Sequence, residues 1–221
     1  ADDFRFVRAW WEVQTERILD SGQWPVVSGQ EKAGGGKWTE ERIGEFQDWC
    51  RRRTYECKHW VPFAKGGEYS PYYADIHLVV NWENDGAKIR NFVDPKTGKT
   101  NSRPQNTDYY FRPGLFQTLR AARLAPHLTP LGCAFGHNGF QAFSSMNKLF
   151  GLLALLNCSA CELLYKIQLG RHGYALYIAG TLQQTPTPER ADQRIVFNAI
   201  DIRSNKYLHN RLDETSHAFT L

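Results

Sequence analysis

No apolar run in this sequence reaches the ~18 to 20 residues that a membrane-spanning helix needs. The longest, Leu149-Phe-Gly-Leu-Leu-Ala-Leu-Leu-Asn157, has nine residues and predicts a buried helix. No basic, apolar leader opens the chain, and no initiator Met either. The single methionine is Met146, so a fragment of a longer protein is expected. The five cysteines, Cys50, Cys57, Cys133, Cys158 and Cys161, are an odd number. That argues against a disulfide framework and for a reducing, cytoplasmic setting. Cys158-Ser-Ala-Cys161 has the spacing of half a zinc site, but no second pair of ligands lies downstream. Two small core residues one helical turn apart are expected there, and no metal ligand set is assigned.

Catalytic signatures are also missing. There is no Gly-x-Gly-x-x-Gly after a strand, no phosphate-binding Gly-x-x-x-x-Gly-Lys-Ser/Thr, no Gly-x-Ser-x-Gly and no His-Glu-x-x-His. The Asn/Asp-Pro-Pro-Tyr motif of amino-methyltransferases is absent too. Asp75 and Glu83 are the nearest approach to a nuclease carboxylate pair, and they lack a Glu-x-Lys partner. His59 and His77 have no partner at ligand spacing. No catalytic residue is therefore assigned, and whether the chain belongs to an enzyme stays open at this level.

What is present is a well-stocked core. The chain has 221 residues, 42% of them hydrophobic and 14% aromatic, which excludes a disordered polymer. Phe6, Trp10, Val13 and Arg17 recur at helical spacing, so residues 1–20 read as a helix. Gly29 and Gly34-Gly-Gly36 mark a loop. Thr39 followed by Glu40-Glu41 predicts the cap and first turn of a helix ending near Arg51-Arg52-Arg53. Ala74–Trp82 reads as a strand, Asn84-Asp85-Gly86 as a tight turn, Lys88–Val93 as the next strand and Asp94–Gly98 as another turn. Residues 99–115 read as loop with a short strand. Leu131–Phe135 reads as a short strand, Ser144 opens an apolar helix, and Tyr174–Ala179 is a final strand. Pro186 and Pro188 precede a terminal helix and a polar tail. The expected fold is α+β, a mixed or antiparallel β-sheet core with flanking helices. Its expected organisation is a helical segment over residues 1–59, the main domain over 60–185, and a helix with a tail over 186–221.

Positive charge is distributed unevenly. Net charge is only +4, yet residues 96–123 hold Lys96, Lys99, Arg103, Arg112, Arg120 and Arg123 against Asp108 alone. The rest of the chain carries one acid in excess. The same stretch holds Asn101, Gln105, Asn106, Thr107, Tyr109, Tyr110, Gln117 and Thr118. Lys and Arg neutralise phosphates, Arg, Asn and Gln form paired hydrogen bonds to base edges, and Tyr supplies both a ring and a phosphate-directed hydroxyl. A solvated basic loop would have the same composition. Lys65-Gly-Gly-Glu-Tyr-Ser-Pro-Tyr-Tyr73 offers a second surface. Its glycines permit close backbone approach, and Lys65, Tyr69, Ser70, Tyr72 and Tyr73 could clamp a nucleic-acid backbone. A Gly-Gly hairpin with its tyrosines packed on a sheet is the alternative. His137-Asn138-Gly139 reads as a turn that could also approach a phosphate.

Several phrases in order resemble one family. They are Asp3-Phe-Arg-Phe-Val-Arg-Ala-Trp-Trp11, Trp60-Val-Pro-Phe-Ala-Lys-Gly-Gly-Glu-Tyr-Ser-Pro-Tyr-Tyr73, Leu78-Val-Val-Asn-Trp82, Arg103-Pro-Gln-Asn-Thr-Asp-Tyr-Tyr-Phe-Arg-Pro-Gly-Leu115, Leu131-Gly-Cys-Ala-Phe135 and Leu152-Leu-Ala-Leu-Leu-Asn157. Together they look like the region after the catalytic domain of large adenine-N6 DNA methyltransferases. That group includes the PglX proteins of BREX phage-defence systems and the type IIG and type ISP restriction-modification enzymes. The sequence departs from the pattern at Phe116-Gln117 and at Cys158. The resemblance implies target recognition on double-stranded DNA, beside a catalytic portion that flips out the adenine and binds S-adenosylmethionine. No cofactor is implied for this chain itself, and no membrane. The residues expected at the DNA are Lys65, Tyr69, Ser70, Tyr72, Tyr73, Lys99, Arg103, Asn106, Tyr109, Tyr110, Arg112, Gln117, Thr118, Arg120 and Arg123. Two other readings remain. One is an interaction module that assembles a phage-defence complex, through the Trp10-Trp11 segment or as a DNA-mimic inhibitor. The other is a stand-alone nuclease.

Overall fold

The structure is a computed structural model, and it describes residues 3–24, 38–100, 104–170, 175–185 and 192–211. In chain order its elements are α1 (Asp3–Phe6), β1 (Val7–Ala9), α2 (Glu40–Glu56), β2 (Trp60–Ala64), β3 (Leu78–Asn81) and α3 (Glu83–Arg90). There follow β4 (Gly114–Thr118), β5 (Arg120–Ala121), β6 (His127–Thr129), β7 (Ala134–Phe135) and β8 (Gly139–Ala142). The chain ends with α4 (Met146–Leu156), α5 (Ser159–Leu169), β9 (Ala175–Leu176), α6 (Ala179–Gln184) and α7 (Gln193–Asn210). Helices and mixed sheets together make an α+β fold.

Contacts divide the chain into two units built from interleaved segments. The first comprises residues 1–63, 76–112 and 131–135, the second residues 64–75, 113–130 and 136–221. In the first unit a four-stranded sheet runs in the order β1-β3-β2-β7. Val80 lies opposite Val7 on one side and Val61 on the other. α2 covers this unit's core. Its start follows the sequence signal: Thr39 Oγ1 accepts from the Arg42 amide at 3.3 Å, and Glu40 and Glu41 occupy the first turn. Ile43, Phe46, Gln47, Cys50 and Thr54 form its buried stripe at helical spacing. Phe46 and Cys50 join Phe6, Leu19, Val61, Trp82, Phe111 and Ala134 in one apolar cluster.

In the second unit a three-stranded antiparallel sheet has the order β6-β4-β8, and β5 pairs with β9. Its cluster joins Leu115 and Leu128 from the sheet to Leu149, Leu153 and Leu156 of α4, Cys161 and Tyr165 of α5, and Tyr177. The apolar run at 149–157 is a buried helix, as expected. α7 packs along α4.

Two expectations fail for tertiary reasons. Residues 1–20 do not form one helix: Val7–Ala9 is extended and pairs with Leu78–Val80, and short 3-10 turns follow. A sheet partner far away in sequence outweighs the helical spacing of the aromatics. Residues 88–93 are not a strand, because α3 occupies Glu83–Arg90. The turn at Asn84-Asp85-Gly86 is present, with φ of 51, 53 and 76°. It is tied to Thr54 Oγ1, which accepts from the Asp85 amide at 3.1 Å, and to Trp82, whose indole donates to Asp85 Oδ1 at 3.1 Å. That anchored turn leads into helix instead of reversing a strand. The strand expected over 74–82 shortens to Leu78–Asn81, and the Gly34–Gly36 loop lies outside the described residues.

Candidate nucleic-acid interface

The Lys65–Tyr73 segment belongs to the second unit and lies on the end of β4. Gly66 makes this possible. Its φ is +91°, and a Cβ there would sit 3.3 Å from Thr118 Cγ2 and 3.6 Å from the Asn138 carbonyl oxygen. The segment therefore runs directly over Thr118 and the exposed His137-Asn138 turn. Its far end is fixed by hydrogen bonds. The Tyr72 amide donates to Pro126 O at 3.1 Å, and Tyr72 O accepts from the Leu128 amide at 3.3 Å. These bonds hold Tyr72 at a φ of 69°, a left-handed conformation costing a tyrosine roughly 1–2 kcal/mol. Ser70 Oγ donates to Tyr73 O at 2.6 Å, and Lys206 Nζ donates to Ser70 Oγ at 3.3 Å and Pro71 O at 2.8 Å.

Tyr69 projects from this fixed segment, 54% exposed. The Arg123 guanidinium stands 5.8 Å from its ring centroid, and Arg123 Nε donates to Glu162 Oε2 at 3.1 Å. Glu162 also pairs with Lys166 at 2.7 Å. Burial opposes ionisation of Glu162, but hydrogen bonds from Lys166 and Arg123, with their charges, outweigh it and hold the carboxyl below its ordinary value. Arg120 is exposed on β5. Lys65, Tyr69, Thr118, Arg120, Arg123 and the His137-Asn138 turn thus all belong to the second unit.

The first unit holds the remainder of the basic stretch. Lys96 and Lys99 are exposed around a turn that Asp94 organises, its Oδ1 accepting from the Lys96 amide at 2.8 Å. Asn106 is left-handed (φ 55°) and exposed. Tyr109 is exposed, with the Arg112 guanidinium 5.9 Å from its ring. Arg112 forms an ion pair with Glu40 at 2.7 Å, so an acid from the first turn of α2 already meets this cation. Arg103 and Asn101 lie outside the described residues.

Three expected contact residues are built into the interior instead. Gln117 is 2% exposed, its Oε1 accepting from the Ala125 amide at 2.9 Å and its Nε2 donating to Thr118 O at 2.9 Å. Tyr110 donates to Phe135 O at 3.2 Å, and burial pushes its pKa up to about 12. Tyr73 is buried and meets Tyr207 edge-on at 5.8 Å. Sequence reasoning missed Glu162, Lys166 and Lys206, which come from helices far along the chain. A lone glutamate in the apolar run Cys161-Glu-Leu-Leu164 was the available signal, since an acid on that face needs a cation.

His59 Nδ1 lies 3.8 Å from Glu83 Oε1. Among the described residues, no group of three or more His, Cys, Asp or Glu could hold a metal ion, and no single helix is long and apolar enough to cross a membrane.

The class so defined is an α+β chain with loop-borne cations and tyrosines beside its second sheet. No protein-family model matches it. Over 105 residues it is 30% identical to "Adenine-specific methyltransferase PglX" of Lacticaseibacillus casei (strain Zhang), covering 47% of this chain and 9% of that protein. Over 123 residues it is 25% identical to "Adenine-specific methyltransferase BrxX" of Escherichia coli O9:H4 (strain HS), covering 55% of this chain and 9% of that protein. The similarity thus spans under a tenth of each relative's length. It relates the chain, distantly, to part of these methyltransferases.

Proposed function

We propose that this chain contributes duplex-DNA target recognition to an adenine-specific DNA methyltransferase of phage defence. In this reading a catalytic portion outside the chain binds S-adenosylmethionine and performs the transfer in the cytoplasm. DNA contact falls to the region 60–185, with 1–59 and 186–221 flanking it. The observation that carries the reading is the Lys65–Tyr73 segment, fixed by Gly66 and Tyr72, with Thr118 against Gly66 and Arg123 over Tyr69. Cations there neutralise phosphates, and the pinned backbone limits the entropy lost on binding. The similarity to the two named methyltransferases supplies the enzyme class.

The outer faces of Leu163, Leu164 and Ile167 on α5 are 57, 43 and 58% exposed. They favour a second role, docking of a protein partner in a defence assembly. Gel-shift titration of duplex DNA over a salt series, with the chain and with any longer protein that contains it, tests the main reading. Affinity should fall steeply with salt. Absent or salt-insensitive binding by both would refute DNA contact and leave the assembly role.

A further inference from the structure

The sulfur of Cys158 caps α5, accepting from the Cys161 amide at 3.4 Å. Both cysteines are free; Cys158 is partly exposed and Cys161 is 3% exposed. That 3.4 Å contact sets the two cysteines on one helical turn, the neighbourhood in which a disulfide spans Cα atoms about 4.4–6.8 Å apart. A partly exposed cysteine followed one turn later by a buried one suits stepwise thiol–disulfide exchange. The first attacks, and the second resolves.

We propose that Cys158 and Cys161 form a reversible dithiol–disulfide pair, oxidised by low-molecular-weight disulfides of the glutathione class. Cys158 gives up its proton and attacks one sulfur of the reagent, making a Cys158–glutathione disulfide and releasing one glutathione thiol. Cys161 then gives up its proton and attacks Cys158 Sγ. The internal disulfide forms and a second glutathione thiol leaves, so two protein thiols are oxidised and one reagent disulfide is reduced. Burial, then the neighbouring Cys158, pushes the Cys161 thiol up to about 11.

The pair is connected to the Lys65–Tyr73 segment. Asn157, the preceding residue, donates from Nδ2 to Pro126 O at 2.9 Å, the same oxygen that accepts from the Tyr72 amide at 3.1 Å. Drawing Cys158 toward Cys161 pulls on that shared carbonyl and loosens Tyr72. Any consequence for DNA contact rests on the function proposed above, whereas the sulfur chemistry does not.

The test treats the native 221-residue chain with oxidised glutathione, alkylates the remaining thiols and reads intact mass, peptide maps and amide hydrogen exchange. The expected product has lost about 2 Da and carries a Cys158–Cys161 linkage that dithiothreitol reverses. It exchanges faster over residues 65–73. Cys161→Ser should stop at glutathione on Cys158, and Cys158→Ser should leave Cys161 unreacted. Glutathione on Cys57 alone, or a wild-type chain that also stops at the Cys158 adduct, overturns the proposal. A disulfide that leaves exchange over residues 65–73 unchanged overturns the connection to Tyr72.

Discussion

Arg123 stands over the Tyr69 ring at 5.8 Å while its Nε donates to Glu162 at 3.1 Å. One cation therefore faces an exposed aromatic on one side and an acid on the other. The acid holds the guanidinium in place and offsets part of its charge. Removing either charge should move DNA affinity in opposite directions. Arg123→Ala should weaken binding to all sequences alike and reduce the slope of log K against log salt by about one. Glu162→Gln should strengthen binding several-fold at low salt and steepen the slope. Gel-shift titrations at three salt concentrations check both, and a common sign for the two variants would remove Arg123 from the interface.

Lys65 and Arg120 belong to the same unit as Arg123, whereas Gln117 in neighbouring β4 faces inward. Lys65→Ala and Arg120→Ala should each weaken DNA binding with little change in folding stability. Gln117→Ala should do the reverse. It leaves the buried Ala125 amide without its acceptor, at a cost of about 1–3 kcal/mol in urea unfolding. An altered site preference in Gln117→Ala at full stability would return this residue to the reading surface.

That contrast shows how far the sequence could be read. Cations, amides and tyrosines between Lys96 and Arg123 were visible as a composition. Which of them face water was not, because β4 is covered on both faces and buries Gly114 to Gln117 without alternation. The chain also passes from one unit to the other between Arg112 and Pro113, so a single basic stretch supplies two surfaces. The helices at Thr39 and in the run 149–157 were legible because their signals are local: a cap, an acidic first turn and an apolar run. β1 was not, since Val7–Ala9 owes its extended form to Leu78–Val80. Glu162 beside Arg123 was equally hidden, being 39 positions away.

Gly86 lies under the Trp82 indole. A Cβ at Gly86 would come within 2.8 Å of two ring carbons, and its φ is +76°. Gly86→Ala must both strain the backbone and displace a buried indole, while Gly170 has positive φ but open space around it. Gly86→Ala should therefore destabilise the chain by on the order of 3 kcal/mol, and Gly170→Ala by about 1 kcal/mol. Urea unfolding of the two variants side by side measures the difference. Equal losses would mean that Trp82 moves aside without cost.

His127 on β6 packs 5.5 Å from the Phe116 ring, and burial, assisted by the charge of Lys206, lowers its pKa to about 4. An unfolded chain binds this proton near pH ~6.5. Between those values the unfolded state takes up a proton that the native state refuses. Stability from this residue is therefore complete above pH ~6.5 and is lost as pH falls toward about 4, where the loss stops. The total loss is on the order of 3 kcal/mol. His127→Gln cannot charge, so whatever it costs at neutral pH, its unfolding free energy should fall less steeply across this window. Urea unfolding at half-unit pH steps compares the two slopes. Parallel curves would mean that His127 accepts its proton inside the folded protein.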